Sequence, residues 1–114
     1  MEDDRVVRLD FSPYPRPLLA VPAVIGQFTS LRELSLRGHK LTSVPAEIGQ
    51  LTSLEVLDLD GNQLTSVPAE IGQLASLREL SLGGNKLTTL PAAICELRAA
   101  GCRVRTDTNV TVDE

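Results

Sequence analysis

The stretch VPAEIGQLTSLEVLDLDGNQLTS, residues 44–66, decides the fold, because nearly the same 23 residues stand on either side of it. Residues 21–43 read VPAVIGQFTSLRELSLRGHKLTS, and residues 67–89 read VPAEIGQLASLRELSLGGNKLTT. A fourth copy begins as LPAAICEL at residue 90 and then departs from the pattern. A fixed period in this range predicts a solenoid, in which each repeat buries its apolar face against its neighbours.

Within each copy the spacing of the apolar residues changes in a way that is typical of a strand followed by a helix. Residues 54–59, LEVLDL, end in strict alternation, which favours a half-buried strand. Val67, Ile71 and Leu74 then fall on one face of a short helix that begins with proline and carries Glu70 in its first turn. Each repeat is therefore predicted to be a strand, a turn, a short helix and a second turn.

Stacking such repeats places the strands in one parallel sheet and the helices on the opposite side. Neighbouring strands lie about 4.8 Å apart, whereas packed helices need about 8–10 Å. Because the helical side is wider, the stack is predicted to curve with its sheet on the concave side.

These residues follow the pattern LxxLxLxxNxLxxVPxxIGxL, and by that pattern the chain resembles the leucine-rich-repeat family, in particular its intracellular Leu-Pro type with 23-residue repeats. The resemblance implies an α/β solenoid, a right-handed superhelix with a concave parallel sheet of about five strands and short helices on the convex side. We expect one domain over residues 1–114. Its capping repeats would be residues 1–20 and 90–114, and its full repeats residues 21–43, 44–66 and 67–89.

Asn62 and Asn85 match the asparagine ladder of that family, which implies that their amides bind backbone groups in the turn after each strand. His39 holds the same position in the first full copy and is the only histidine of the chain. A catalytic or metal role is one interpretation of a lone histidine. Substitution in the ladder, near its edge, is the interpretation that we favour.

Both ends are irregular, as the caps of a solenoid are expected to be. The proline-rich loop at residues 12–17 is interpreted as a lid over the edge of the first strand, with a recognition feature as the alternative. At the other end Gly101 suits a helix C-cap, and Cys102 and Val104 are expected to alternate inward in a final strand, with Arg103 and Arg105 pointing outward. Residues 107–114 are either a frayed tail or a short extra strand.

The charge balance argues against a general nucleic-acid binder. Eleven basic and fifteen acidic residues are interspersed and give a net charge of −4, whereas such a binder would show a basic stripe. No apolar run approaches the length of a membrane span, so no membrane contact is expected. The acidic start MEDDRVVRLD contains no apolar stretch, so we expect no secretory signal.

The two cysteines, Cys95 and Cys102, are too few for a disulfide framework and lack metal-site spacing. We expect two free thiols in a reducing compartment, and hence a cytoplasmic protein. Cys102 is predicted to be largely buried and Cys95 more accessible. Cys95 takes the position that glycine holds in the other copies, which a need for a small side chain explains.

Catalytic patterns are missing from the sequence. One histidine and no GxSxG leave nothing from which to build a nucleophilic triad, and the Gly-Gly-Asn-Lys stretch at residues 83–86 lacks the spacing of a phosphate loop. Residues 58–62, DLDGN, open like a calcium loop, but Gln63 and Ala69 stand at its sixth and twelfth positions and exclude an EF-hand. A weak cation site is the remaining alternative, and solvent-facing aspartates are the plainer one. We expect no enzyme activity, no metal and no cofactor.

The outward positions of the predicted strands carry the most informative polar residues. They form four rows across neighbouring strands, namely Arg32, Glu55, Arg78; Glu33, Val56, Glu79; Ser35, Asp58, Ser81; and Arg37, Asp60, Gly83. One interpretation is ordinary solvated cross-strand pairing, which contributes a few tenths of a kcal/mol per pair. The other is the footprint of a partner, with an acidic centre that suits lysine or arginine. The candidate protein-binding residues are Arg32, Glu33, Arg37, Glu55, Asp58, Asp60, Arg78 and Glu79.

These features together predict a protein–protein interaction module whose concave sheet binds an unidentified protein. The alternative belongs to another class. Three full copies offer a short surface and the sheet has two open edges, so the chain is alternatively a structural solenoid that works as a homodimer or an edge-to-edge assembly. The sequence does not identify the partner.

Overall fold

Five short parallel strands, each centred on an apolar residue, form the main sheet. The computed structural model describes residues 8–10, 19–107 and 111–112 of the chain, so the proline-rich loop lies outside the described residues. The strands of the main sheet are β1 (Arg8–Asp10), β2 (Glu33–Ser35), β3 (Val56–Asp58), β4 (Glu79–Ser81) and β6 (Arg103–Arg105), hydrogen-bonded in that order. The predicted parallel sheet of about five strands is confirmed.

The register of the sheet aligns equivalent positions of successive repeats. Glu33 pairs with Val56, and Val56 pairs with Glu79. At the ends the step is longer than one repeat, by two residues between Arg8 and Glu33 and by one residue between Glu79 and Arg103. The predicted rows are therefore real, and the caps join them with small insertions.

In the described part of the chain, the helical side consists of three 3-10 helices and one α-helix. They are η1 (Ala23–Gln27), η2 (Ala46–Gln50), η3 (Ala69–Gln73) and α1 (Ala93–Ala99). The 3-10 form shows in the short bonding pattern, in which the Ile48 N–H donates to Pro45 O at 3.0 Å and the Leu51 N–H to Ile48 O at 3.2 Å. A proline with extended backbone holds the N-cap of each 3-10 helix, and no side chain caps it. Proline has a fixed φ and no side-chain acceptor, so the preceding Ser and Thr hydroxyls lie outside the cap.

Glycine sets how closely the helical turns stack. A Cβ added at Gly49 would lie 2.6 Å from the backbone oxygen of Glu70, and one added at Gly72 would lie 2.8 Å from the Cβ of Ala93. No real Cβ tolerates such distances, so the repeats pack at a separation that only glycine permits. The same position of α1, the last described helix, is Cys95, which is half-buried.

The core is a continuous aliphatic layer between the sheet and the helical turns. Leu57, Leu59, Leu64, Ile71 and Leu74, which follow the apolar pattern of strand, turn and helix, are each 0% exposed. This confirms the predicted strand register, because a shift of one residue would turn the leucines outward. At the two ends, half-buried Leu9 and Val104 pack against the same cluster.

The C-terminal end of α1 closes with a Schellman motif. The N–H of Cys102 donates to Leu97 O at 2.9 Å, and the N–H of Gly101 donates to Arg98 O at 3.0 Å. Gly101 has a φ of 101°, which confirms its predicted role beyond the helix end.

The chain then adds a second, two-stranded sheet. β7 (Thr111–Val112) pairs in parallel with β5 (Thr89–Leu90). Of the two alternatives for residues 107–114, the short extra strand is therefore the one that the structure contains.

Candidate concave binding face

The concave face consists of the side chains that point away from the core on the main sheet and in the turns directly after its strands. Leu34, Leu57 and Leu80 point inward and are at most 1% exposed, so the residues on either side of them point outward. The eight predicted site residues lie on this face, with the register that the repeat predicted. The charged, hydroxyl-bearing and apolar side chains of this face include those of Arg8, Asp10, Arg32, Glu33, Ser35, Arg37, Glu55, Val56, Asp58, Asp60, Arg78, Glu79, Ser81, Arg103 and Arg105.

Among the described residues, three ion pairs cross between neighbouring repeats, and in each the arginine belongs to the earlier repeat. Their shortest N–O distances are 3.5 Å for Arg8–Glu33, 3.4 Å for Arg32–Glu55 and 3.7 Å for Arg37–Asp58. The arginine side chains remain 65–68% exposed, so each pair contributes little to the free energy of unfolding. Their effect is to neutralise part of the face before any partner arrives.

Two central aspartates have backbone partners that the sequence did not reveal. The N–H of Gly83 donates to Asp60 Oδ1 at 2.8 Å, and the N–H of Asp60 donates to Asp58 Oδ1 at 3.1 Å. Both aspartates are half-buried, which corrects the expectation that they merely face solvent. The carboxylates of the acidic centre are thus already in use: Asp58 pairs with Arg37, and Asp60 holds the first turn of the next repeat.

An open depression of about 180 Å³ lies on the N-terminal half of the face. Val56, the apolar member of its row, lines it together with Ser35, and Asp10 and Asp58 stand around it. Pockets for drug-sized ligands usually have volumes of about 300–1,000 Å³, so this depression suits a single protruding side chain. The apolar Val56 between Glu33 and Glu79 was the sequence signal for it.

Three arginines of the face differ in their pairing from Arg8, Arg32 and Arg37. Among the residues that the structure describes, no acid forms an ion pair with Arg78, Arg103 or Arg105. Arg78 was among the predicted site residues, whereas Arg103 and Arg105 were predicted to point outward without being assigned to the site. The signal for including them was their alternation with inward-facing Val104.

The asparagine ladder supports the turn behind the face. The Asn62 side-chain amide donates to Leu36 O at 2.9 Å and to Leu59 O at 3.0 Å, and Asn62 Oδ1 accepts from the Leu41 N–H at 3.2 Å. Asn85 makes the equivalent bonds one repeat later. This confirms the implied ladder, and His39 is buried at the same position of the first repeat, with 4% exposure.

The two cysteines are not joined by a disulfide, and Cys95 is half-buried and Cys102 buried, as predicted. Burial raises the pKa of the Cys102 thiol, and the nearby Glu79 carboxylate raises that pKa further. A thiol with a raised pKa is a poor nucleophile at neutral pH. Cys102 is thus part of the packing under the sheet.

Metal-ligand clusters and membrane-spanning helices are both absent from the described residues. Within the described part of the chain, no three His, Cys, Asp or Glu side chains are grouped to hold a metal ion. Within that part, too, no helix has both the length and the apolar character needed to cross a bilayer.

Comparison with known proteins identifies the family and many similar solved structures, of which two illustrate the match. The family described as "Leucine-rich repeat region" matches residues 21–99. An LRR protein of Leptospira interrogans has 43% sequence identity and a TM-score of 0.76, over 83% of this chain and 24% of that one. The LRR ectodomain of the receptor kinase SOBIR1 from Arabidopsis thaliana has a TM-score of 0.69 over 95% of this chain and 74% of its own, and its 23% identity supports the fold alone. No curated protein sequence matches. The chain thus spans about a quarter of the Leptospira protein.

Proposed function

This chain belongs to the leucine-rich-repeat family, and on that basis we propose that it is a protein-binding module whose concave face is the contact surface. Leucine-rich-repeat domains generally mediate protein–protein interaction and are typically non-enzymatic. We therefore propose a role without catalysis and without a cofactor. Two cysteines that form no disulfide suit a reducing compartment, and the cytoplasm is the location that we propose.

The observation that carries this proposal is the in-register sheet. Its parallel strands hold outward side chains in rows about 4.8 Å apart on a backbone that is fixed on both sides. Side chains that are already held in place lose less conformational entropy when a partner binds. The depression lined by Val56 adds an apolar point at which a partner side chain can be buried.

The experiment introduces large uncharged side chains. Reversing the charge of Asp58 or Asp60 instead would also remove backbone hydrogen bonds. We expect the double variant Ser35→Tyr, Ser81→Tyr to cover the middle of the concave face while keeping a residue type that strands favour. The matched control is Thr52→Tyr, Ala75→Tyr, which places the same side chains at exposed positions of the turns after η2 and η3. The immobilised protein is used to capture partners from a lysate of its source, and captured proteins are quantified by mass spectrometry.

We expect the wild type and the control to capture a common set of partners. The concave variant should capture at least about tenfold less of each of them. If the control loses the partners and the concave variant keeps them, the concave face is not the contact surface. Circular dichroism and thermal melting of all three proteins verify that the folds are equal.

Self-association is the second candidate, because β1 and β6 each pair with one neighbour in the described sheet. Arg103 and Arg105 on β6 would face like charges in an assembly of two β6 edges, which is unfavourable. Light scattering after size exclusion separates the candidates. A monomer is expected, and a dimer that persists on dilution would favour the structural role.

A further inference from the structure

We propose that the C-terminal end of the concave face binds an acidic segment of the partner protein. The binding group consists of Arg78, next to β4, and Arg103 and Arg105 on β6, called here the arginine group. This inference rests on the proposed function and adds the chemistry of the partner to it.

The arginines of the concave face differ in whether they form ion pairs. Arg8, Arg32 and Arg37 each pair with a carboxylate of the following strand. Arg78 is the equivalent of Arg32 two repeats later, but the register of β4 and β6 places buried Cys102, directly before β6, opposite it rather than an acid. Among the described residues, the arginines on or beside β1 and β2 are therefore paired, whereas those at β4 and β6 form no ion pair.

The arginine group contains more positive charges than there are acidic side chains close to it. Glu79 stands opposite Arg103 in the register but forms no ion pair among the described residues. The other acid nearby, Asp107, accepts a hydrogen bond from the Gly84 N–H at 3.2 Å. Three guanidinium groups thus have two nearby carboxylates, those of Glu79 and Asp107, that form no ion pair among the described residues, so this end of the described face carries a small excess of positive charge on a protein whose net charge is −4.

The strand sets the spacing between the side chains of Arg103 and Arg105. Arg103 and Arg105 are two residues apart on one strand, and β-strands rise about 3.3 Å per residue, so these side chains emerge about 6.6 Å apart. An extended peptide presents its own residues i and i+2 at the same spacing and on one side. Arginine binds carboxylates through two parallel N–H···O bonds, so an extended segment with acidic residues at alternate positions matches the arginine group.

A nucleic acid fits this end of the face less well. Its backbone carries a charge at every nucleotide, and Glu55, Glu79 and Asp58 lie beside the arginines on the same rows. A polypeptide can place neutral or basic residues against those acids, whereas a phosphate backbone cannot. The occupant that the charges favour is therefore an acidic protein segment.

The test uses a fluorescein-labelled octapeptide of alternating glutamate and serine, with fluorescence anisotropy as the readout. The probe variant is Arg78→Gln, Arg103→Gln, Arg105→Gln. The matched control is Lys40→Gln, Lys86→Gln, Arg98→Gln, which removes three exposed basic side chains outside the concave face and changes the net charge by the same amount. Equal net charge means that long-range attraction changes equally, so any difference in binding reports the arginine group itself.

We expect the wild type to bind the glutamate peptide, with an affinity that falls as salt is raised from about 20 to about 150 mM. The probe variant should bind at least about tenfold more weakly, and the control less than about threefold. A lysine–serine peptide should not bind. No binding by the wild type, equal losses in the two variants, or tighter binding of an eight-nucleotide thymidine strand than of the peptide would each overturn the inference.

The experiments distinguish a failure of the acidic-segment inference from a failure of the proposed concave-face function. If the glutamate peptide does not bind but Ser35→Tyr, Ser81→Tyr still removes captured partners, the acidic-segment inference falls and the concave face stands. If the peptide binds through the arginine group and the natural partners survive the concave substitutions, the acid site is real but is not where those partners dock.

Discussion

Single side chains fix the turn that follows each strand. Asn62 joins two repeats, because its amide nitrogen reaches Leu36 O in the earlier repeat and Leu59 O in its own, while its Oδ1 accepts from the Leu41 N–H. With 5% exposure it leaves no room for water to replace these bonds. Asn85 makes the same set of bonds but is only half-buried.

Asn62→Ala should lower the free energy of unfolding by about 2–4 kcal/mol, because three buried backbone groups lose their partner at once. Asn85→Ala should cost less, since water can reach the groups that it leaves. Urea denaturation followed by circular dichroism measures both values. Equal losses, or a loss of less than about 0.5 kcal/mol for Asn62→Ala, would contradict the structural role of the buried amide.

Which polar side chains find partners could be predicted only in part. The asparagine bonds followed from the repeat pattern, because one residue type recurs at one position. The bonds of Asp60 did not, because in the sequence it resembles any outward strand residue, and its bond depends on the side-chain rotamer. The extra residue between β4 and β6 places Cys102 rather than Gly101 opposite Arg78, and neither of these residues carries an acid that could pair with it.

The helical turns are set by glycine rather than by helix propensity. In an ordinary exposed helix, replacing glycine by alanine is stabilising, by about 1 kcal/mol. Here the turns stack so closely that a Cβ at Gly49 meets Glu70 O at 2.6 Å and Gln73 Oε1 at 2.9 Å. The backbone oxygen cannot move aside without shifting the whole of η3.

Gly49→Ala should therefore lower the free energy of unfolding by about 1–3 kcal/mol, against the direction of helix propensity. Cys95→Ala, at the same position of the last described helix, is the control and should change it by less than about 0.5 kcal/mol. Thermal melting ranks the two variants. A more stable Gly49→Ala protein would show that the turns can separate at little cost.

The sequence predicted where the helical turns lie but not their type. Apolar residues at i, i+4 and i+7 fit a short α-helix, and over five residues a period of 3.0 cannot be told from one of 3.6. The pairing of β7 with β5 was also left open, because β7 contributes two residues whose partner is fixed by the packing of the final repeat. Strand positions were predicted reliably, since the alternating leucines recur with a constant period.

The repeats share one core across the described chain. Buried leucines run from the first full repeat to the last helix as one cluster, with Leu59 near the middle at 0% exposure. In a solenoid each repeat is stabilised by its neighbours, so loss of packing at the centre affects both flanks.

Leu59→Ala should lower the free energy of unfolding by about 2–5 kcal/mol through the cavity that it leaves. Because three full repeats are too few to unfold separately, amide exchange should accelerate alike at Leu34 and Leu80, one repeat to either side. Val104→Ala, at the half-buried end of the cluster, is the control and should accelerate exchange mainly in β6. Acceleration confined to the central repeat in the Leu59→Ala protein would contradict a shared core.

The distance along the chain between bonded residues has a consequence for how the protein folds. The hydrogen bonds of Asn62 and Asp60 reach partners 26 and 23 residues away, and the strand pairs have a similar separation. Loop-closure entropy is therefore nearly the same at every step, and no step has to bring together the two ends of the molecule. Any adjacent pair of repeats can serve as the folding nucleus, and the chain can add structure one repeat at a time as it leaves the ribosome. Gain or loss of a whole repeat would leave this scheme unchanged, which makes the length of the array an easily altered property.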